Sequence, residues 1–454
     1  MGMCRFSKLC GVAFLAVAML APSWLAAAQV KLDVSMAQPT LLAEKKQTTY
    51  LKVGLTGFKI SPESDRAPIN VALVLDRSGS MSGTKLAKAK EAACLAVRGL
   101  DSQDIVSIVT YDSTVQVLVP ATKLTDKEAV CSKIRRIESG GSTALFAGVS
   151  KGAAELRKFL DRSRVNRVIL LSDGLANVGP KTPGELGDLG ASLVKEGISV
   201  TTLGLGLDYN EDLMAKLALR SDGNHLFIEK AEDLAKVFDF ELRHALSVVA
   251  QEVSIAIKVS PEIRPVRVLC REAEINGQRV VVQMNQLYSE QEKYVMLEVE
   301  VPSTKAGQTR QIAQVDVSYA NMETKTTDRL SSTVSVNFNP SEEVVRRNTD
   351  AAVMTECVLQ IANEKNMLAT ALRDKGDIEG ARQVLIANGR YLGENGKLYA
   401  SEKLRRYGAD NEYQAKNLEG ANWARSRKMM RESQHGTTTQ LPTLRYSSSG
   451  EPKR

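Results

Sequence analysis

Between residues 69 and 245, short apolar runs alternate with stretches whose apolar residues recur every three or four positions. INVALVLD (69–76), DIVSIVTYD (104–112), VQVLVP (115–120), RVILLSDG (167–174), ISVTTLGLG (198–206) and HLFIE (225–229) read as strands. TKLAKAKEAACLAVRGL (84–100), TDKEAVCSKIRRI (125–137), TALFAGVSKGAAELRKFL (143–160), TPGELGDLGASLVKEG (182–197), NEDLMAKLALRS (210–221) and AEDLAKVFDFELRHAL (231–246) read as helices, the second opened by Thr125 as cap with Glu128 three residues on. Apolar strands separated by crossover helices are buried on both faces, so this order predicts an α/β fold with a doubly wound, mostly parallel sheet. The short turn between DIVSIVTYD and VQVLVP adds one antiparallel edge strand.

The flanks have a different rhythm. Residues 29–68 and 246–340 alternate apolar and polar residues, as in TTYLKVGLTGFKI and KYVMLEVEV, and predict strands. The first piece is too short to fold alone, so both are assigned to one β-sandwich with the α/β unit (69–245) inserted between its strands. Residues 341–432 return to helical spacing, and DKGDIEGARQVL reads as a turn and second helix of a helix hairpin. Residues 433–454 are rich in Ser, Thr, Pro and Gly and predict a disordered tail. At the other end, Arg5 and Lys8 precede GVAFLAVAML, Pro22 and LAAAQV, the pattern of a signal peptide over residues 1–28 cut after Ala28. This predicts export to a periplasm or beyond the cell, with no membrane span in the mature chain.

The net charge of +7 is scattered, no long basic block exists, and aromatic residues make up only 5%, which argues against nucleic-acid binding. Cys94, Cys131, Cys270 and Cys357 follow the leader without a CxxC pair, so zinc and thioredoxin-like chemistry lack support and no disulfide pairing is set by spacing. Cys94 and Cys131 sit at apolar helix positions, as small buried thiols do.

The chemistry concentrates in VLDRSGSMSGTK (74–85), where Asp76 ends an apolar strand and Ser78 and Ser80 follow on a glycine-rich turn. In an open parallel sheet, ligands bind beyond the carboxyl ends of the strands. SGGSTAL (139–145) brings Thr143 to that edge, and LLSDG (170–174) brings Asp173. Taken singly these are a turn aspartate, two candidate caps of the helix near Lys85, an N-cap threonine and an Asp-Gly turn. Together they are two carboxylates and three hydroxyls without nitrogen or sulfur. That donor set selects Mg²⁺, Ca²⁺ or Mn²⁺ over zinc or copper, with Mg²⁺ the expected ion, and its low charge leaves the cation open to an outside anion.

Enzymatic patterns fit less well. GSMSG (79–83) places Met81 where a nucleophile elbow needs Ser, a haloacid-dehalogenase aspartyl site wants a second Asp at Ser78, GLGLDY (204–209) ends in Tyr209 rather than Gly, and no G-x-x-x-x-G-K-[ST] is present. Only His225, His244 and His435 could serve as imidazole bases, and none falls near the cluster in the chain. DRSGS, the threonine of GGSTAL and the aspartate of LLSDG resemble the metal-ion-dependent adhesion site of von Willebrand factor type A domains, position for position. NRVILLSDGLANVG and GLGLDYNEDLM are most similar to the bacterial secreted branch labelled after calcium-activated chloride channel subunits or inter-alpha-trypsin inhibitor heavy chains. The resemblance implies a non-enzymatic adhesion module whose metal is held by Asp76, Ser78, Ser80, Thr143 and Asp173. A carboxylate from an acidic side chain of a protein partner would complete the shell. The rival readings are a metal-assisted hydrolase and a scaffold that binds through its helical C-terminal region.

Overall fold

The computed structural model describes residues 28–60 and 66–443. The leader assigned to residues 1–28 lies outside them save for its last residue, as does the end of the chain from 444.

Three strands open the described chain: β1 (Lys31–Met36), β2 (Thr40–Leu42) and β3 (Gln47–Thr56). The α/β unit follows as β4 (Ile69–Asp76), α1 (Thr84–Gly99), β5 (Ile105–Tyr111), β6 (Val115–Lys123), α2 (Lys127–Arg135), α3 (Leu145–Arg157), β7 (Val165–Ser172), α4 (Pro183–Lys195), β8 (Ile198–Leu205), α5 (Glu211–Arg220), β9 (His225–Ile228) and α6 (Leu234–Leu246). Its sheet has the order β6-β5-β4-β7-β8-β9. All neighbours are parallel except β5 and β6, which form the antiparallel edge hairpin. Every residue of β4 is buried, because the pleat sends alternate side chains into two cores. Ile69, Val71, Leu73 and Leu75 pack with α1, α2 and α6, whereas Ala72 and Val74 pack with α3, α4 and α5. Gly152 is what lets α3 lie flat on the sheet, since a Cβ there would stand 2.6 Å from Val74. The cap of α2 is Asp126, not Thr125: the helix starts at Lys127, and the Asp126 carboxylate accepts from the Ala129 amide at 2.9 Å. A charged acceptor one residue closer to the helix takes the orphan amide before the threonine can.

The chain then forms β10 (Val248–Val259), β11 (Arg264–Val268), β12 (Glu274–Asn276), β13 (Arg279–Tyr288), β14 (Glu292–Val301), β15 (Thr309–Asn321) and β16 (Thr327–Asn339). Two sheets, β1-β3-β14-β11 and β12-β13-β10-β15-β16-β2, face each other over one apolar core. The N-terminal strands are built into both: β3 runs antiparallel to β14 from Thr56↔Glu292 to Gln47↔Val301, and β2 runs parallel to β16.

The helical region comprises α7 (Glu342–Arg347), α8 (Ala351–Asp374), α9 (Ile378–Leu398), α10 (Glu402–Lys416) and α11 (Ala421–Thr439). A buried amide ladder ties it together: Asn366 Nδ2 donates to Asn411 (3.0 Å) and Gln414 (2.7 Å), Asn388 donates to Asn411 (3.0 Å), and Gln434 donates to Asn366 (2.8 Å). Residues 433–439 are therefore helix rather than disordered tail, with Gln434, His435, Thr438 and Thr439 all buried. Their polar composition suggests solvent, but each finds protein partners, such as Thr439 Oγ1 donating to the His435 carbonyl at 2.8 Å.

Two buried charged seams join the three regions. Arg167 of β7 is fully buried and reaches Glu241 of α6 at 2.8 Å, Thr201 of β8 at 3.0 Å and the Tyr288 hydroxyl of β13 at 2.9 Å. On another side, Lys428 of α11 donates to Glu211 at 2.7 Å and to the Tyr209 carbonyl at 2.8 Å, while Arg427 and Arg431 both reach Asp212. The thiols of Cys94, Cys131, Cys270 and Cys357 are all free in the structure.

Replacing Arg167 by Met leaves the Glu241 carboxylate buried without its cation, with only the neutral donors Thr201 and Asn224 on it. Urea unfolding should show a loss of about 3–5 kcal/mol, largely recovered in the double variant Arg167→Met/Glu241→Leu. Burial also holds the His244 and His435 imidazoles down at about 4, whereas an unfolded His titrates near 6.5. Between those values the unfolded chain takes up protons that the folded chain refuses, so stability is intact above pH 6.5 and falls as the pH drops toward 4. At pH 5 each ring accounts for a loss on the order of 2 kcal/mol, and His435→Gln should flatten the stability-versus-pH curve in that window.

Candidate metal centre

The parallel register makes β4, β5, β7 and β8 end at one edge: Asp76 pairs with Tyr111, Leu75 with Leu171, and Ser172 with Gly204. All five residues singled out in the sequence gather at this edge: Asp76 at the end of β4, Ser78 and Ser80 on the loop after it, Asp173 after β7, and Thr143 on the connection from α2 to α3. Asp76 is fully buried; its Oδ1 accepts from the Ser78 amide at 2.8 Å and its Oδ2 from the Ser172 hydroxyl at 2.7 Å. Burial pushes its carboxyl above the usual range, the Ser78 and Ser172 hydrogen bonds pull it back, and the Asp173 charge adds to the rise. A nearby cation would reverse that balance.

Ser78 Oγ lies 3.1 Å from Ser80 Oγ, and Ser80 donates to Asp173 Oδ1 at 2.7 Å. Asp173 is also fully buried, and its Oδ2 accepts from the Lys85 ammonium at 2.5 Å. Thr143 joins from the other side. A Cβ built on Gly174 would sit 3.1 Å from Ser80 Oγ and 3.5 Å from Thr143 Oγ1, so both hydroxyls line the small space that this glycine leaves open. Ser80 is exposed while Ser78, Thr143 and Asp173 are buried, so the cluster is a cradle with one open side.

None of these hydroxyls is spent on a helix. Gly83 caps α1 without a side-chain bond, and Ala144 precedes α3 in the same way. The simpler capping roles of Ser78, Ser80 and Thr143 are thus set aside by geometry. The loops are fixed by backbone bonds, Gly79 amide to Gly141 carbonyl at 3.1 Å and Gly140 amide to Arg77 carbonyl at 2.8 Å. Gly141 has φ +73°, and a Cβ there would stand 2.9 Å from Ser113 Oγ, so only glycine serves.

Several contributors were not singled out in the sequence. Asp112, the residue after β5, pairs through its carboxylate with Arg77 at 2.7 Å and accepts the Ala144 amide on its backbone carbonyl at 2.8 Å. Asn177 Oδ1 accepts the Thr143 amide at 2.7 Å, locking the loop after β7 to the loop before α3. Ser172 and Lys85 contact the two carboxylates themselves. The strand-end rule that found Asp76 and Asp173 also points to Asp112. Lys85 carried a different signal, a cation in the first turn of a helix, where an anion is the usual resident.

The set fits a hard divalent cation: oxygen donors only, two of them anionic, with a face open to a further ligand. Among the described residues, no group of three or more His, Cys, Asp or Glu side chains is placed to hold a metal, so a cation in this cradle would depend on the hydroxyls. The imidazoles are elsewhere. His225 of β9 and His435 of α11 meet edge to face at 6.1 Å, and His244 stacks on Tyr288 at 3.7 Å.

Residues 70–240 match the family profile of the von Willebrand factor type A domain. The chain is 29% identical over 218 residues to the uncharacterized protein YfbK of Escherichia coli, covering 48% of itself and 38% of that protein. It is 30% identical over 165 residues to human inter-alpha-trypsin inhibitor heavy chain H3, covering 34% of itself and 18% of the heavy chain. The chain thus spans well under half the length of both relatives. A solved structure, the von Willebrand factor type A protein from Catenulispora acidiphila, superposes with a TM-score of 0.65 at 16% identity, over 83% of this chain and 89% of that one, and so shares the fold. With the sheet order, the strand-end loops and the profile in agreement, the inserted α/β unit is a von Willebrand factor type A domain, a module that commonly mediates protein–protein interaction and adhesion.

Proposed function

We propose that the protein is an exported, non-enzymatic binding protein. Its type A domain holds a divalent cation through Asp76, Ser78, Ser80, Thr143 and Asp173, and captures an acidic side chain of a protein partner. The observation that carries this reading is the continuous polar chain Ser172–Asp76–Ser78–Ser80–Asp173, with Thr143 facing it across Gly174. Two fully buried carboxylates converge on one small space, and a cation there would offset a repulsion that burial makes costly. When bound, the cation supplies an electrophilic point to which an outside carboxylate can attach.

The surroundings suit a protein partner. Leu175 on the loop after β7, and Leu207 on the loop after β8, expose 60% and 43% of their surface beside the cradle. An acidic residue with apolar neighbours would meet the cation and this rim together. Among the described residues no helix is long and apolar enough to cross a membrane. With the leader pattern at residues 1–28, this supports an exported chain acting in a periplasm or outside the cell. A hydrolase would need a base at the cation, and the imidazoles are held in other parts of the fold. The helical region is bound to the type A domain through Lys428, Arg427 and Arg431, which suits a support for that domain better than a separate binding scaffold.

Thermal unfolding in Mg²⁺, Ca²⁺, Mn²⁺ or EDTA tests the metal. A ligand of the native state at a hundredfold excess over its Kd stabilises by about 2.7 kcal/mol, a rise on the order of 5–10 °C for a unit of this size. Asp76→Ala and Thr143→Ala should each abolish that rise. Partner capture should vanish in EDTA and in Asp76→Ala, and return to the wild-type protein with Mg²⁺.

A further inference from the structure

Lys85 is the second residue of α1, in the first turn of a helix that carries no acidic residue there. The partial positive charge of a helix N-terminus makes this a poor place for an ammonium. Its side chain nevertheless turns inward to the metal cradle. The ammonium lies 2.5 Å from Asp173 Oδ2, and it is 3.9 Å from where a Cβ on Gly206 would stand, with φ +75° at that glycine. Asp173 is fully buried and the Lys85 side chain is 31% exposed, so the lysine reaches from the rim into the site. Among the described residues, no other ion pair reaches Asp173. The remaining Asp173 oxygen is occupied by the Ser80 hydroxyl.

Asp173 therefore already has a cation, supplied by the chain itself. A divalent ion and an ammonium cannot both lie against one carboxylate oxygen: two like charges a few ångströms apart repel strongly in a buried setting. From these contacts we infer that Lys85 is a tethered competitor for the metal. It holds Asp173 until a divalent cation takes its place, and in doing so sets how much free cation is needed to load the site. The inference rests on the metal reading above and adds the residue that regulates loading.

The consequences have opposite signs, which separates this role from simple structural support. Removing the ammonium leaves Asp173 without its cation, so the protein in EDTA loses stability. The same removal lifts the competition, so the metal binds more tightly. If the ammonium occupies Asp173 for about nine-tenths of the time, apparent affinity is lowered about tenfold. Displacement also frees the amine toward the open side of the cradle, where reagents reach it.

The experiment titrates Mn²⁺ into the full chain, with free Mn²⁺ followed by electron paramagnetic resonance, for wild type, Lys85→Met and Lys85→Arg. Lys85→Met should tighten the Kd about tenfold while lowering the melting temperature in EDTA, and Lys85→Arg should keep the wild-type Kd, because its charge is retained. In the wild-type protein, acylation of Lys85 measured by mass spectrometry should rise when Mn²⁺ is added. Binding by Lys85→Met alone would support the competition in its strongest form. Wild-type binding with an equal or weaker Kd in Lys85→Met, or Lys85 labelling that stays level or falls on Mn²⁺ addition, overturns it. If neither wild type nor Lys85→Met binds Mn²⁺, the metal reading itself fails and this inference falls with it.

Discussion

A carboxylate at the end of the central strand is shut off from bulk solvent, and the top of the type A domain is built around that fact. Asp76 is fully buried and receives a backbone amide and a serine hydroxyl at hydrogen-bonding distance. A second buried carboxylate, Asp173, faces the same space and is neutralised by a lysine from the neighbouring helix. Burying two such groups together costs free energy that ordinary packing does not return. Sites where charge is concentrated against the preference of the fold are where ligands are sought. Thr143, Ser78 and Ser80 complete the polar lining without serving any helix end.

The rest of the fold supplies rigidity to those loops. Parallel strands in fixed register bring three separated segments to one edge, and Gly152 brings α3 close enough to β4 to hold the Thr143 loop over it. On the flank, α11 is pinned to the start of α5 through Glu211 and Asp212, and Lys428 grips the carbonyl of Tyr209 in the loop after β8. At the opposite end of the sheet, Arg167 fixes β7 and α6 against the sandwich strand β13. The loops of the cradle thus stand on a domain held from two sides.

Much of this was legible in the sequence because its causes are local or periodic. Apolar runs separated by helical stretches specify a parallel sheet, and strand ends specify where ligands go, so the sequence alone places Asp76, Ser78, Ser80, Thr143 and Asp173 on one edge. Interactions set by tertiary proximity were not legible. Lys85 sits nine residues after Asp76 in the chain, but its partner is Asp173, and no spacing rule links them. Asn177 and Asp112 act through backbone groups of other loops. The buried Gln434, His435 and Thr438 look like tail composition, because a polar residue reads as solvent-facing until its partner is known. The three-residue strand β12 is too short to leave a pattern.

The pairing of β3 with β14 has a consequence for the order of assembly. Lys52 and Glu292 bond across that pair although they are 240 positions apart. A chain that emerges N-terminus first exposes the apolar edge of β3 until residues 292–301 have followed it. During that interval the inserted α/β unit can finish folding, since its sheet pairs only with itself. The early strand is therefore the aggregation-exposed part of the nascent protein, and the folded insert shortens the distance across which β3 and β14 must find each other.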